Sequence, residues 1–339
     1  MAGRDPAPEQ GRQRGPEQGP GAAVPRFAWV LGAGGLLGGA VCRRLEALGR
    51  QVHTTIVPWR AQGTAVDTLL RAADQLPAGD WEVYWCAGAG VVGSHPEELD
   101  AELDVLEGFL GAWEPGEGTH GFFLASSAGG VYAGSTGAPF TERTVPAPIS
   151  PYGWAKLRSE EIATDFAVRT GTALLVGRLS NLYGPGQHLG KQQGLITQLC
   201  RAQLTRQPLS VYVPLDTMRD YLYVDDAAAM VVAGLDAVTT RGARALKVLA
   251  SERSTTIGAV LGDLHRITRR RPPVVLGTSS NARFQVRDLR LRSVAWPRTS
   301  PLARTPMVAG IAATLASLVA RPGSARGYPS MSSSAERTP

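Results

Sequence analysis

Tyr152 and Lys156 stand four residues apart in ISPYGWAKLRSEEI, at the start of a helical pattern, so both side chains fall on one helix face. A phenol ordinarily titrates near pH 10 and is a poor base at neutrality unless a nearby cation favours the phenolate. Lys156 is spaced to supply that cation. A second chemistry-bearing stretch is SSAGGVYAG, residues 126–134, whose hydroxyls on Ser126 and Ser127 follow the apolar run GFFLA. It reads either as a ledge of hydroxyls at a strand end or as a flexible turn. A third is GAGGLLG, which spaces Gly32, Gly35 and Gly38 three apart after a strand and before a helix. Glycine there permits a tight turn, close approach of backbone to a pyrophosphate and close packing of helix on strand, and the helix N-terminus adds amide donors and a positive dipole end.

Positioning such groups requires a sheet. Strand-like runs recur at FAWVL (27–31), QVHTTIV (51–57), EVYWCA (82–87), GFFLAS (121–126), ALLVG (173–177) and LKVLA (246–250), with helical patterns such as AVCRRLEALG (40–49) between them. Continuous apolar strands separated by helices predict an α/β fold, a doubly wound parallel sheet covered on both faces. The rhythm weakens after about residue 183, which predicts a smaller C-terminal lobe. The expected organisation is a tail over 1–25, a dinucleotide-binding core over 26–182 rejoined by 223–250, a substrate-binding lobe from 183–222 and 251–320, and a second tail over 321–339. Both tails are rich in Pro, Gly, Ser or Gln and too polar to offset their ordering entropy, so disorder is expected there.

The chain has 339 residues, 43% hydrophobic and 19% charged, within the ordinary soluble range. Half of the net charge of +6 lies in residues 1–26 and 321–339, and apart from Arg269, Arg270 and Arg271 no basic cluster stands out, which argues against a nucleic-acid partner. Cys42, Cys86 and Cys200 offer neither metal spacing nor a disulfide framework. With no apolar stretch of signal-peptide or membrane-spanning length, a cytoplasmic location is expected.

The glycine loop, SSAGGVYAG, YGWAK, RLSNLYGPGQ (178–187) and RDYLYVDD (219–226) occur in this order at suitable separations. Together they resemble the extended short-chain dehydrogenase/reductases, specifically the NAD(P)-dependent epimerase/dehydratase family acting on nucleotide-activated sugars, over roughly residues 27–320. The resemblance implies a Rossmann-type core that binds NAD or NADP through Gly32, Gly35, Leu36, Leu37, Gly38 and Ala87, with Asp67 loosely matching an acidic contact to adenine. It implies that Tyr152 is the general acid/base and that Lys156 holds the nicotinamide ribose while favouring the phenolate. It also implies that a serine of the pair, Ser127 or alternatively Ser126, hydrogen-bonds the same substrate oxygen. Asn181 and Arg219 match positions near the substrate diphosphate; for Arg219 the alternative is a structural pair with Asp225 or Asp226. A homodimer built through the Tyr152 helix is expected on the same ground.

Three departures bear on the chemistry. Ile56 stands where the second strand usually carries an acid, and Arg60 just beyond it either pairs with a 2′-phosphate, favouring NADP, or is a surface loop residue. Glu102 falls where the family commonly has asparagine. Ala128 and Gly129 follow the serines where sugar 4,6-dehydratases need an adjacent Asp–Glu pair, which disfavours dehydration. The expected activity is therefore epimerisation of a nucleotide-diphosphate sugar through a transient keto-sugar, or reduction of a 4-keto-sugar nucleotide by NADPH. A non-catalytic dinucleotide sensor is the reading from another class, and retention of Tyr152 and Lys156 speaks against it.

Overall fold

The computed structural model describes residues 27–189, 194–278 and 286–320. The two tail expectations, for 1–25 and 321–339, lie outside the described residues. Its centre is a six-stranded parallel sheet in the order β2 (Val52–Thr54), β1 (Phe27–Leu31), β3 (Trp81–Trp85), β4 (His120–Ser127), β5 (Ala173–Leu179), β10 (Arg244–Leu249). Strands β1, β3 and β5 are almost wholly buried because helices cover both faces, which is why their sequences are unbroken apolar runs rather than alternating ones. The helices α2 (Gln62–Asp74), α3 (Pro96–Ala112) and α5 (Pro151–Thr170) lie on one face; α1 (Leu36–Ala47) and α7 (Val224–Thr240) lie on the other.

On the first face, aromatic rings fix the helices that carry chemistry. Trp113 stacks on Phe109 at 5.0 Å and on Phe166 of α5 at 5.5 Å, so α3 and α5 are held at one spacing by large rigid side chains. The sheet differs from expectation at one edge. The run QVHTTIV pairs only through Val52–Thr54, after which the chain leaves the sheet and Ile56 is 97% exposed. From β2 the chain passes through α2 directly to β3, so β2 is the edge.

Beyond β5 the elements shorten. Strands β6 (Asn181–Tyr183) and β9 (Tyr221–Tyr223) pair in parallel, and β7 (Leu209–Val211) pairs with β12 (Val274–Leu276). Helices α6 (Leu195–Thr205), α8 (Ile257–Thr268) and α9 (Met307–Val319) close over a separate apolar cluster that includes Tyr183, Leu199, Tyr221, Leu264 and Ile311. A buried polar clamp fixes β10: Lys247 donates to Ala295 O at 2.6 Å and to Ser293 Oγ, with Glu142 at 3.8 Å. Arg269, Arg270 and Arg271 follow the end of α8, exposed, as a solvated helix end.

Candidate active site

Strand β1 is followed by β2 on one side and β3 on the other, so the chain order reverses between β1 and β3, the point at which open α/β sheets bind ligands. The glycine loop sits there. A methyl on Gly32, whose φ is +84°, would lie 2.7 Å from Ala87 N, and one on Gly38 would lie 2.2 Å from Gly32 O. Only glycine lets the loop close on itself and on Ala87. Gly35 caps α1 without a side chain, and no acid stands in the first turn, which leaves its amides and positive dipole end for an anion. These residues fit a dinucleotide pyrophosphate.

The cleft that opens from this point has a volume of about 1100 Å³ and runs across the strand ends into the C-terminal elements. Gly32, Gly35, Leu36, Leu37 and Ala87 line its glycine-loop side; Ser126, Ser127, Tyr152 and Lys156 line its middle; Asn181 and Arg219 line its far side. Three sequence candidates do not line it. Gly38 acts by packing on Gly32. Arg60 is exposed in the turn before α2. Asp67 faces solvent because Ala65, Leu69, Ala72 and Ala73 take the buried side of α2, and that helix stands where an acidic adenine contact was expected.

Tyr152 and Lys156 lie in the first turns of α5. Ser150 caps this helix by accepting from Gly153 N at 3.2 Å, and Pro151 pre-sets its first turn. Lys156 Nζ reaches Ala125 O at 3.4 Å and lies 5.7 Å from the Tyr152 ring centroid. A methyl on Gly130 would come within 3.0 Å of the Tyr152 ring, so the glycines after the serines let that ring lie against the turn. The stretch is thus a ledge and a turn at once.

The two serines differ. Ser126 is buried and donates to Glu160 Oε1 at 2.5 Å. Glu160 is held in two-pronged fashion by Arg178, at 2.9 and 2.7 Å, and Arg178 also donates to Tyr132 Oη at 2.7 Å. Burial alone would push the Arg178 pKa down, but the Glu160 carboxylate outweighs it and holds the value above the ordinary one. Ser127 is half-buried and accepts from Gly130 N at 3.1 Å as the cap of α4 (Ala128–Val131), which leaves its proton for the cleft.

At the far side, Arg219 is buried, donates to Met218 O at 2.8 Å, and has its pKa lowered by that burial. Asp225 pairs with Arg43 at 2.9 Å, and Asp226 accepts from Thr305 N and Oγ1, so both aspartates that sequence reading offered to Arg219 are held elsewhere. Asn181 is exposed and donates to Asp220 O at 2.9 Å. Sequence reasoning missed Trp59, Trp85, Arg201 and Tyr212, all of which line the cleft. It also missed the Ser126–Glu160–Arg178–Tyr132 network. Trp59 beside Arg60 was the one local signal, an aromatic just past the second strand.

A sequence profile of the NAD dependent epimerase/dehydratase family matches residues 28–246, and the chain belongs to that family. Among curated relatives, it is 32% identical over 133 residues to dTDP-L-rhamnose 4-epimerase of Burkholderia thailandensis, a match covering 37% of each chain. It is 29% identical over 149 residues to dTDP-4-dehydro-6-deoxyglucose reductase of Escherichia coli, covering 42% of this chain and 46% of that one. The matches thus span less than half the length of either relative. Among solved structures, MoeE5 in complex with UDP-glucuronic acid and NAD superposes with a TM-score of 0.68 at 23% identity, covering 86% of this chain and 99% of that one. UDP-glucose 4-epimerase of Thermotoga maritima with UDP-glucose gives 0.68 at 19%, covering 86% and 98%. At these identities the structural likeness establishes the Rossmann-type fold. No helix among the described residues is long and apolar enough to cross a membrane.

Proposed function

We propose that the protein is a nucleotide-sugar epimerase that works through a transient keto-sugar. The observation that carries this reading is the convergence of Tyr152, Lys156 and Ser127 on one cleft, with Ala128 and Gly129 next to Ser127 where a dehydratase would need acids. When bound, the dinucleotide would take a hydride from the sugar carbon and return it. Tyr152 would remove the hydroxyl proton as the carbonyl forms and return it to the same oxygen when hydride comes back to the other face of the carbonyl carbon. Lys156 would keep the phenolate accessible, and Ser127 would donate to the same oxygen and hold it in line with the phenol. The sugar nucleotide would lie along the far side of the cleft, where Arg219 and Asn181 suit a diphosphate.

A 4-keto-sugar-nucleotide reductase is the second reading, favoured by the similarity to the E. coli reductase and by the absence of an acid at Ile56. That same absence, with Arg60 exposed three positions past the buried Val57, supports a preference for NADP over NAD. Purification separates the two. Tightly retained oxidised NAD, with interconversion of sugar-nucleotide epimers and no added cofactor, supports the epimerase. An empty protein that consumes NADPH with 4-keto-sugar nucleotides overturns it in favour of the reductase. A homodimer through the Tyr152 helix accords with the apolar side chains that α5 exposes, Trp154 at 61% and Val168 at 62%, and is checked by mass measurement in solution.

A further inference from the structure

Glu102 stands in the middle of α3 and lines the cleft. Its Oε1 accepts from Ala89 N at 2.5 Å and Gly90 N at 2.9 Å, pinning the loop that leaves β3. Its Oε2 is turned toward the same loop: a methyl on Gly88 would lie 3.6 Å from that oxygen and 3.5 Å from Lys156 Nζ. A methyl on Gly90 would lie 3.4 Å from Oε2 and 3.7 Å from Tyr152 Cδ2. Carboxylate, ammonium and phenol ring therefore surround one short stretch of glycine backbone.

Pinning the loop does not need a charge. A single neutral amide oxygen, as in glutamine or asparagine, can accept two N–H donors. The negative charge of Glu102 is left over, and it sits where Lys156 would meet the nicotinamide ribose. That placement rests on the dinucleotide reading given above. The oxidised nicotinamide ring carries a positive charge and the reduced ring carries none. A fixed carboxylate near it stabilises the first and leaves the second almost unchanged, whereas Lys156 acts in the opposite sense.

We propose that Glu102 is a specificity-determining residue that biases this site toward the oxidised dinucleotide by opposing the charge of Lys156. The protein then rests loaded with the form that accepts hydride, the state an epimerase needs before its sugar arrives. The bias also disfavours loss of the cycle through escape of reduced cofactor, because the site holds the oxidised form more tightly between turnovers.

The test is a pair of dissociation constants, for the oxidised and the reduced dinucleotide, measured by calorimetry on the full chain and on Glu102→Gln and Glu102→Asn. Lys156 and Glu102 are at most about 7 Å apart, and for a nicotinamide ring bound at a similar range, loss of the carboxylate should weaken oxidised relative to reduced cofactor by about three- to fifty-fold. Two neutral variants of different length keep the measurement available if one does not fold. A ratio shifted in that direction in either variant supports the proposal. Equal weakening of both forms would show that Glu102 only pins the loop and would overturn it, as would an unchanged ratio. If the unaltered protein binds neither form, the dinucleotide reading itself fails and the proposal falls with it, an outcome distinct from a bound but unbiased site.

Discussion

Ser126 and Ser127 leave the end of β4 side by side and enter opposite kinds of surroundings. Ser126 is absorbed into a closed set of groups in which Glu160, Arg178 and Tyr132 satisfy one another, with Tyr132 donating onward to Thr141 O at 2.8 Å. Ser127, Tyr152 and Lys156 line the cleft, and the Ser127 hydroxyl accepts from Gly130 N and keeps its own proton for a ligand. Buried polar groups that are fully paired fix a shape, because any rearrangement strands a charge in a low dielectric. Groups that remain open can exchange protons with a ligand. The closed set braces α5 against β4 and β5 from behind, and the open set uses the face of α5 that this bracing presents.

The largest separation of the two regions should come from Tyr152→Phe. It deletes one hydroxyl in the open set, so turnover should fall by about 10²- to 10⁴-fold while thermal stability and dinucleotide affinity stay near those of the unaltered protein. Unchanged turnover would remove Tyr152 from the chemistry. The converse variant is Arg178→Ala, which leaves Glu160 buried without its partner and should cost about 3–5 kcal/mol of unfolding free energy in denaturant titration. A loss under 1 kcal/mol would mean that the closed set does not brace the helix.

Smaller effects should distinguish the serines. Ser127→Ala removes a donor from the open set and should lower turnover by about ten- to a hundred-fold, the range for a hydrogen bond to a developing charge. Ser126→Ala leaves the Glu160–Arg178 pair intact and should cost about 1–2 kcal/mol of stability with turnover within a few-fold of the original. Turnover lost in Ser126→Ala but kept in Ser127→Ala would invert the assignment.

What could be read from the sequence follows the same division. The glycine loop and the Tyr152–Lys156 pair are local patterns, set by spacing within one loop or one helix, and both fall where spacing placed them. The parallel sheet was legible because its strands are apolar throughout. The closed set was not, since Glu160 and Arg178 are 18 residues apart and Ser126 and Glu160 are 34 apart, on three separate elements whose packing no local pattern encodes. Asp67 and Arg60 could be named from the sequence, but their surroundings follow from how α2 packs: Ala65, Leu69, Ala72 and Ala73 take its buried side, which turns Asp67 to solvent, and Arg60 is exposed in the turn before that helix. Glu102 was visible as a departure, but its meaning required the distances to Ala89, Gly90 and Lys156.

A third serine gives the smallest and most specific check. Ser150 is buried and has one evident task, accepting from Gly153 N to begin α5 ahead of Tyr152 and Lys156. Its hydroxyl belongs neither to the closed set nor to the cleft lining. Replacing it with alanine should cost about 1 kcal/mol, the usual worth of a helix N-cap, because one orphan amide loses its acceptor. Tyr152 lies in that first turn, so fraying there would misplace the phenol in a fraction of molecules rather than alter its chemistry. Ser150→Ala should therefore lower turnover by no more than a few-fold, and a small amount of stabilising osmolyte should recover the loss, since osmolytes favour the compact, capped state. A deficit that persists in osmolyte would mean that Ser150 reaches the reacting groups directly and that the open set extends to the N-terminus of α5.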